Sequence, residues 1–371
     1  MTDADRQALW PILALSFGMD DPQRWDRWAE RLGRDNLRIA KVDGVVAGGL
    51  GFYRCAQVFG GKAVPMGGIA GVGVAPEHRT RGIARQLVED TLRDLRRDGV
   101  PLAGLYPATW TVYRKSGFEL AGHRCERRVS AKTIGVRAKT PDVRPAPRAH
   151  IESLYRPHHG GLVRDAALWS RLFDGYDSPG RGYVIGDDEG WVILARSGGP
   201  GHFDLIVRDF QVFTPGALRR FWSFMADHRS MAVDVVWTGP AVDWRAHVLP
   251  ESQVRVTDSI AWMLRVLDVP AALLARGYAT DGELHLEVVG DPLFEANNAR
   301  WVLRVQDGRP SVEPGGRGDL SVDIAGLAPL YSGYCTAGQL TVVGQVRGSD
   351  IALQAADRLF GGQVPWLPEI Y

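Results

Sequence analysis

Between Val72 and Leu87 the chain reads Val-Gly-Val-Ala-Pro-Glu-His-Arg-Thr-Arg-Gly-Ile-Ala-Arg-Gln-Leu: a strand, a tight basic turn and the start of a helix. Such a turn binds phosphate. The first backbone N–H groups of a helix point outward unpaired, and the aligned peptide dipoles favour an anion there. Gly82 and Ala84 keep the approach uncrowded, and Arg79, Arg81 and Arg85 add formal positive charge to the same turn. That charge suits a pyrophosphate better than a single carboxylate. The spacing ending in Gly-Lys-Ser or Gly-Lys-Thr that a nucleoside triphosphate site wants is absent, and so is Gly-x-Gly-x-x-Gly directly between strand and helix. A two-phosphate cofactor outside those two classes is the natural fit.

The elements around the turn must hold it in place. Leu9, Ile12, Leu13 and Phe17, then Trp25, Trp28 and Leu32, recur at helical spacing. The runs Leu37 to Val42, Val45 to Cys55 and Ala63 to Val74 follow, separated by Asp43-Gly44 and Gly60-Gly61, and predict an antiparallel meander. Beyond Pro76 the stripe Ile83, Leu87, Val88, Thr91, Leu92 and Leu95 predicts a helix of about four turns ending near Asp98-Gly99. Val100 to Tyr106 reads as a buried strand, Thr111 to Ser116 as a short helix and Phe118 to Arg128 as a closing strand.

A Pro- and Arg-rich stretch from Thr140 to Arg148 marks a connector. After it come a helix at Ala166 to Phe173, strands around Tyr183 to Arg196 and Phe203 to Phe213, a helix at Pro215 to Arg229, and strands at Val233 to Trp237 and Ser259 to Arg265. This order echoes the first unit without its glycine-rich turn, as a degenerate duplicate would. A third unit begins near Asp268-Val269-Pro270. It carries a short helix at Pro270 to Arg276, strands at Gly282 to Val289 and Ala299 to Gln306, and the segment Asp319 to Ile324. Helices at Ile324 to Tyr331 and Ser349 to Phe360 then frame a strand at Leu340 to Val343. The fold class is therefore α/β (α+β), with ranges 1–128, 129–265 and 266–371.

Charge and composition exclude several partners. Lys plus Arg number 44 against 43 Asp plus Glu, so no electrostatic footprint for nucleic acid or an anionic membrane is present. Cys55, Cys125 and Cys335 have neither zinc-type nor redox-type spacing and read as reduced thiols. The opening residues are acidic where a secretory signal is basic, and no apolar run reaches membrane-spanning length, so a cytoplasmic location is expected.

Arg79-x-x-Gly82-x-Ala84 after a Val-x-Val-x-Pro strand resembles motif A of the GNAT acetyltransferases, and Tyr113-Arg114-Lys115-Ser116-Gly117-Phe118 resembles their later Tyr-x-x-x-Gly-Phe motif. Val74-Ala75-Pro76-Glu77-His78-Arg79, Phe213-Thr214-Pro215, Met263-Leu264-Arg265-Val266-Leu267-Asp268-Val269 and Ala356-Asp357-Arg358-Leu359-Phe360 extend the likeness to the enhanced intracellular survival (Eis) branch over nearly the full chain. The resemblance implies tandem GNAT folds, the second degenerate, followed by a domain resembling sterol carrier proteins. It implies acetyl-CoA as cosubstrate, a small-molecule amine as acceptor, and a homo-oligomer, typically a hexamer. Acetyl-CoA would lie along Val72, Gly73, Val74, Arg79, Thr80, Arg81, Gly82, Ile83, Ala84, Arg85, Ala108 and Thr109.

The same resemblance assigns the general acid to Tyr113, carbonyl polarisation to the backbone N–H of Val74, and the base to the carboxylate of Tyr371. A phenol of ordinary pKa about 10 is a sensible acid for a departing thiolate, whereas an α-carboxyl near 3.3 to 3.7 is a weak base unless desolvated or working through water. The tail argues for docking, because Trp366, Leu367, Ile370 and Tyr371 each gain about 1.5 to 3 kcal/mol on burial. Relatives commonly carry a small Glu-Gly-Gly-like segment before the tyrosine. Here Ala108-Thr109-Trp110-Thr111-Val112 stands there, and a bulky Trp110 is expected to narrow the acceptor pocket. Phe17, Trp25 and Trp28 are expected in the core, and His158-His159 as a solvated or helix-capping pair; no metal is expected. Two alternatives stay open: a specialised-metabolite acyltransferase on the same fold, and a non-catalytic acyl-CoA or lipid-binding protein.

Overall fold

The computed structural model describes residues 2–18, 21–175, 178–199 and 201–370. Helix α1 (Asp3–Phe17) starts from Thr2, whose hydroxyl accepts from the Asp5 amide while the Asp5 carboxylate accepts from the Thr2 amide, and it stops at Gly18 in left-handed backbone. Helix α2 (Pro22–Leu32) follows. Strands β1 (Leu37–Val42), β2 (Val45–Phe59) and β3 (Lys62–Val74) form the expected meander. Both residues of each connecting turn have positive φ, as tight hairpins require. Helix α3 (Ile83–Arg97) buries the stripe from Ile83 to Leu95 and crosses over to β4 (Leu102–Leu105), parallel to β3. Helix α4 (Trp110–Arg114) and β5 (Glu119–Ser130) complete this part.

The second stretch contains β6 (Val143–Pro145), α5 (Arg148–Leu154), α6 (Ala166–Phe173), β7 (Arg181–Ile185), β8 (Gly190–Gly199), β9 (His202–Val212), α7 (Pro215–Asp227), β10 (Ala232–Gly239) and β11 (Arg255–Val266). Its β9–α7–β10 crossover repeats β3–α3–β4, with the two strands again parallel. The two stretches do not form separate sheets. One eleven-stranded sheet runs β1-β2-β3-β4-β11-β5-β10-β9-β8-β7-β6. Strand β11 lies between β4 and β5, antiparallel to both, while β5 also pairs with β10. The halves therefore interlock through β5 and β11.

The last stretch comprises α8 (Val269–Ala275), β12 (Gly282–Val289), β13 (Arg300–Gln306), β14 (Arg309–Pro314), β15 (Leu320–Asp323), α9 (Ile324–Ser332), α10 (Ala337–Val342), β16 (Val346–Gly348) and α11 (Asp350–Phe360). Its sheet order is β14-β13-β12-β15-β16. The strand expected at Leu340 to Val343 is instead the end of α10 and the residue after it. Thr336 and Gln339 form a reciprocal capping box that starts a helix, and Leu340 is buried while Val342 is 88% exposed, so the run has no second face to bury. One hydrophobic core joins this sheet to the large one: Phe59, Met66 and Trp262 pack in the same cluster as Leu286, Leu327 and Phe360. Among the described residues no helix is long and apolar enough to cross a membrane.

Candidate active site

Strand β3 pairs with β4 only from Met66 to Ile69 and then runs on to Val74 after β4 has ended at Leu105. From Ala70 onward that edge of β3 is open. A bulge sits at the divergence: Gly51 faces Ala70 and Gly49 faces Gly73, so Gly71 and Val72 together oppose one residue of β2. Gly71 has φ 60°, and a Cβ there would lie 3.1 Å from the Trp28 ring, so both backbone and space call for glycine. Gly73 is a packing position against α1, since a Cβ would meet Leu13 at 2.5 Å.

The basic turn begins where the Ala75 amide donates to the Ala47 carbonyl at 2.9 Å. Thr80 (φ 67°) and Gly82 (φ 80°) both take left-handed backbone, and α3 starts with no side-chain cap. A Cβ placed on Gly82 would have no neighbour within 4 Å, so the space before the helix is open. Val74, Arg79, Thr80, Gly82, Ile83, Ala84 and Arg85 surround a cavity of about 470 Å³, joined by Thr111, Val112 and Lys115. Arg79 Nε donates to the Val74 carbonyl at 3.3 Å, and Arg85 pairs with Glu89 at 2.6 Å, which orients both guanidiniums along the turn. Arg81 is exposed and, like Thr109, lies outside the walls of this cavity.

The corresponding turn before α7 is built the opposite way. Thr214 caps the helix by accepting from the Ala217 amide at 3.0 Å, and its hydroxyl donates to Glu189 at 2.5 Å. A side chain already satisfies that helix start, and a carboxylate stands in front of it. Of these two corresponding helix starts, only that of α3 is arranged for an anion.

Val72 and Ala108 line a second cleft, of about 460 Å³, together with Tyr113. Tyr113 is held by its own turn: its carbonyl accepts from the Ser116 and Phe118 amides at 2.9 and 3.2 Å, and its ring meets Phe118 edge-on with centroids 6.0 Å apart. Gly117 in this turn has φ 83°, and the side chain of Arg265 on β11 closes over it. Arg265 donates to the Ser116 carbonyl at 2.9 Å and forms a fully buried ion pair with Asp291 at 2.5 Å. Sequence reasoning passed over Arg265 as a support, although an arginine inside the apolar run Met263-Leu264-Arg265-Val266 is a signal of a buried polar task. Among the described residues the Tyr113 hydroxyl has no hydrogen-bond partner, and burial pushes its phenol above the ordinary value.

Leu13, Phe17, Trp28, Tyr53 and Ile69 form the apolar wall of the cleft. The expectation that Phe17, Trp25 and Trp28 are all core holds only for Trp25, which is buried against the rings of Trp10 and Trp28. Trp110 does not narrow the cleft: it is 45% exposed, lies under the Arg114 guanidinium at 5.0 Å, and is absent from the lining. It is the first residue of α4, and its ring lies against Arg114 rather than in the cleft.

The C-terminal segment threads to this cleft and is clamped residue by residue. The Trp366 ring stacks on His158 at 4.1 Å and its carbonyl is 3.2 Å from His158 Nε2. Tyr106 donates to the Leu367 carbonyl at 3.0 Å and Arg124 to the Pro368 carbonyl at 3.1 Å. Arg164 donates to Glu369 at 2.6 Å and to Asp209 at 2.5 Å, with Arg164 fully shielded. Ile370 then lines the cleft. Tyr371 lies outside the described residues. The histidine pair is not solvated: His158 holds Trp366, and His159 accepts from the Gly60 amide and bonds the Ser332 carbonyl at 2.7 Å. Burial pushes the His158 imidazole down to about 4 and lowers that of His159 as well. Both therefore serve as neutral, tautomer-fixed clasps.

Compared with known proteins, residues 1–121 and 160–266 each match an acetyltransferase (GNAT) domain family, and residues 269–368 match a sterol carrier protein domain family. N-acetyltransferase Eis of Mycobacterium tuberculosis is 28% identical over 403 residues, which cover 98% of this chain and 96% of that one. The crystal structure of a GCN5-related N-acetyltransferase from Anabaena variabilis superposes with a TM-score of 0.94 at 33% identity, covering 100% of this chain and 98% of that one. A GCN5-related N-acetyltransferase from Kribbella flavida gives 0.88 at 28% identity, over 100% and 97%. With two acetyltransferase domains interlocked through one sheet and a sterol carrier protein domain behind them, the chain belongs to the GCN5-related N-acetyltransferases of the Eis type and is an acyltransferase.

Proposed function

We propose that the protein transfers the acetyl group of acetyl-CoA directly to an amine of a small molecule, with Tyr113 as the general acid. The observation that carries this reading is one juxtaposition. A buried tyrosine whose hydroxyl has no partner among the described residues lines a small-molecule-sized cleft, and the uncapped, arginine-rich start of α3 lies just beyond it along β3. The open space at Gly82 and the flanking guanidiniums of Arg79 and Arg85 fit a pyrophosphate, while Val72 and Ala108 line the way to Tyr113. Bound there, acetyl-CoA supplies the thioester. The acceptor nitrogen bonds to its carbonyl carbon, the carbon–sulfur bond breaks, and Tyr113 gives its phenolic proton to the departing sulfur. The Val74 amide, on the open edge of β3, is the donor proposed for the carbonyl oxygen.

The proton lost by the amine is proposed to leave through the carboxylate of Tyr371, directly or by water, since such a group is a weak base unless desolvated. The clamped path from Trp366 to Ile370 supports this placement. The lipid-binding alternative is less well supported, because the interior of the C-terminal sheet and helices is filled by its own Leu286, Leu303, Leu327, Leu340 and Phe360. Thiol release from acetyl-CoA across a panel of amines tests the proposal. Acceptor-dependent release, suppressed in Tyr113→Phe, is the expected result; tight acetyl-CoA binding without turnover of any amine would favour a binding role. Light scattering tests the homo-oligomer, expected as a hexamer.

A further inference from the structure

Among the described residues the charged side chains lining the acceptor cleft are all of one sign, the carboxylate proposed for Tyr371 lying outside that set. Among its described lining residues the formally charged ones are Arg31 and Arg171, and no aspartate or glutamate joins them. Arg171 is the more informative. It sits in the last turn of α6, reaches the wall that the cleft shares with a neighbouring cavity of about 340 Å³, and stands beside Ile370 in both. Its Nη1 is buried with no hydrogen-bond partner, and no carboxylate lies within ion-pair distance of it among the described residues. Of the nearby carboxylates, Glu369 accepts from Arg164 through Oε1 while its buried Oε2 has no hydrogen-bond partner among the described residues, and Glu126 lies near Arg128 and accepts from Thr257. Among the described residues Arg124, on the neighbouring cavity, bonds only a carbonyl, which neutralises no charge. At Tyr106 burial and the Glu369 carboxylate raise the phenol, while Arg124 and Arg171 work against them.

A buried guanidinium nitrogen left without an acceptor costs free energy unless a ligand satisfies it. A fixed cation in a low-dielectric wall also repels a polycationic acceptor. In the same cleft, Phe17, Trp28 and Tyr53 offer aromatic surface. Building on the acetyltransferase reading above, we propose that the acceptor is an aromatic amino acid or a close derivative that keeps a free amine and a carboxylate. Arg171 holds the carboxylate, the aromatic wall holds the ring, and the amine faces the Tyr113 end of the cleft. Polyamines and aminoglycosides lack the anion that this wall recognises.

The test measures kcat/KM for L-phenylalanine and L-tryptophan against phenethylamine and tryptamine, their counterparts without the carboxylate, and against spermidine and kanamycin. The amino acids are expected to exceed the decarboxylated amines by about ten-fold or more, the scale of a lost charge-assisted bond. Arg171→Gln should collapse that ratio mainly through KM. A higher kcat/KM for spermidine or kanamycin, or an unchanged ratio in folded Arg171→Gln, overturns the proposal while leaving the acetyltransferase reading intact. If no acceptor turns over, calorimetry separates the two: acetyl-CoA binding without binding of N-acetyl-L-phenylalanine overturns the acceptor class alone. Failure to bind acetyl-CoA overturns the acetyl-CoA reading of the site itself.

Discussion

Arg164 and Glu369 are 205 positions apart in sequence and 2.6 Å apart in space, and both side chains are buried. Arg164 also holds Asp209 on β9, so one guanidinium ties the C-terminal segment to the second half of the large sheet. Arg164→Met would leave two buried carboxylates without their cation, which costs about 3 to 5 kcal/mol, and should lower the melting temperature by several degrees. Glu369→Gln keeps the shape and leaves the Arg164–Asp209 pair, so it should cost much less stability. Thermal melts followed by circular dichroism, beside thiol-release rates, check both. Full activity in each variant would mean that placement of the tail is irrelevant to catalysis.

The contrast between the two helix starts gives a second expectation. Arg79→Ala and Arg85→Ala should each raise the KM for acetyl-CoA by roughly ten-fold, less at high salt, because exposed guanidiniums are screened. Glu189→Gln at the capped start of α7 should leave that KM unchanged. Initial rates at two ionic strengths decide the matter; equal effects at the two helix starts would remove the assignment of the phosphate site.

How far the sequence reached follows from which interactions are local. The meander, its turns, α3 and the phosphate turn are written in short-range pattern and in residues such as Gly82 whose backbone demands are specific. The insertion of β11 beside β4 and the clamp on the tail join residues more than a hundred positions apart, and no periodicity encodes them. Trp110 was misplaced because a side chain's direction depends on the exact start of α4. His158-His159 was misplaced because the partners that bury it, Trp366 and Ser332, are distant in sequence. Leu340 to Val343 was misread because a short apolar run suits either state, and the capping box at Thr336 decided it.

Tyr113 is the sharpest test of the chemistry. Tyr113→Phe removes one oxygen that bonds no described residue, so stability should change by less than about 0.5 kcal/mol. The turnover number should fall by roughly 10²- to 10⁴-fold with little change in the KM for acetyl-CoA. Because burial raises the phenol, wild-type turnover should show no loss from Tyr113 ionisation until pH exceeds the ordinary value of about 10. An alkaline fall in turnover below that value that vanishes in Tyr113→Phe would contradict this environment.

His158 makes the docking of the tail sensitive to acid. In the folded chain burial holds its imidazole down to about 4, whereas in the unfolded chain it titrates near 6.5. Protonation therefore favours the unfolded chain: the contribution is fully present above about pH 6.5 and is lost as pH falls toward 4, on the order of 3 kcal/mol in all. Asp209 opposes the drop electrostatically, and Arg164 and Arg245 reinforce it. His158→Phe keeps a ring to stack on Trp366 but cannot take a proton. The wild-type chain should lose stability between pH 6.5 and 4 by that amount more than the variant, which gives up instead, at every pH, the hydrogen bond to the Trp366 carbonyl. Urea titrations at half-unit pH steps measure both curves. Parallel curves would show that His158 stays neutral for some other reason, or that its burial is not what links acid to the tail.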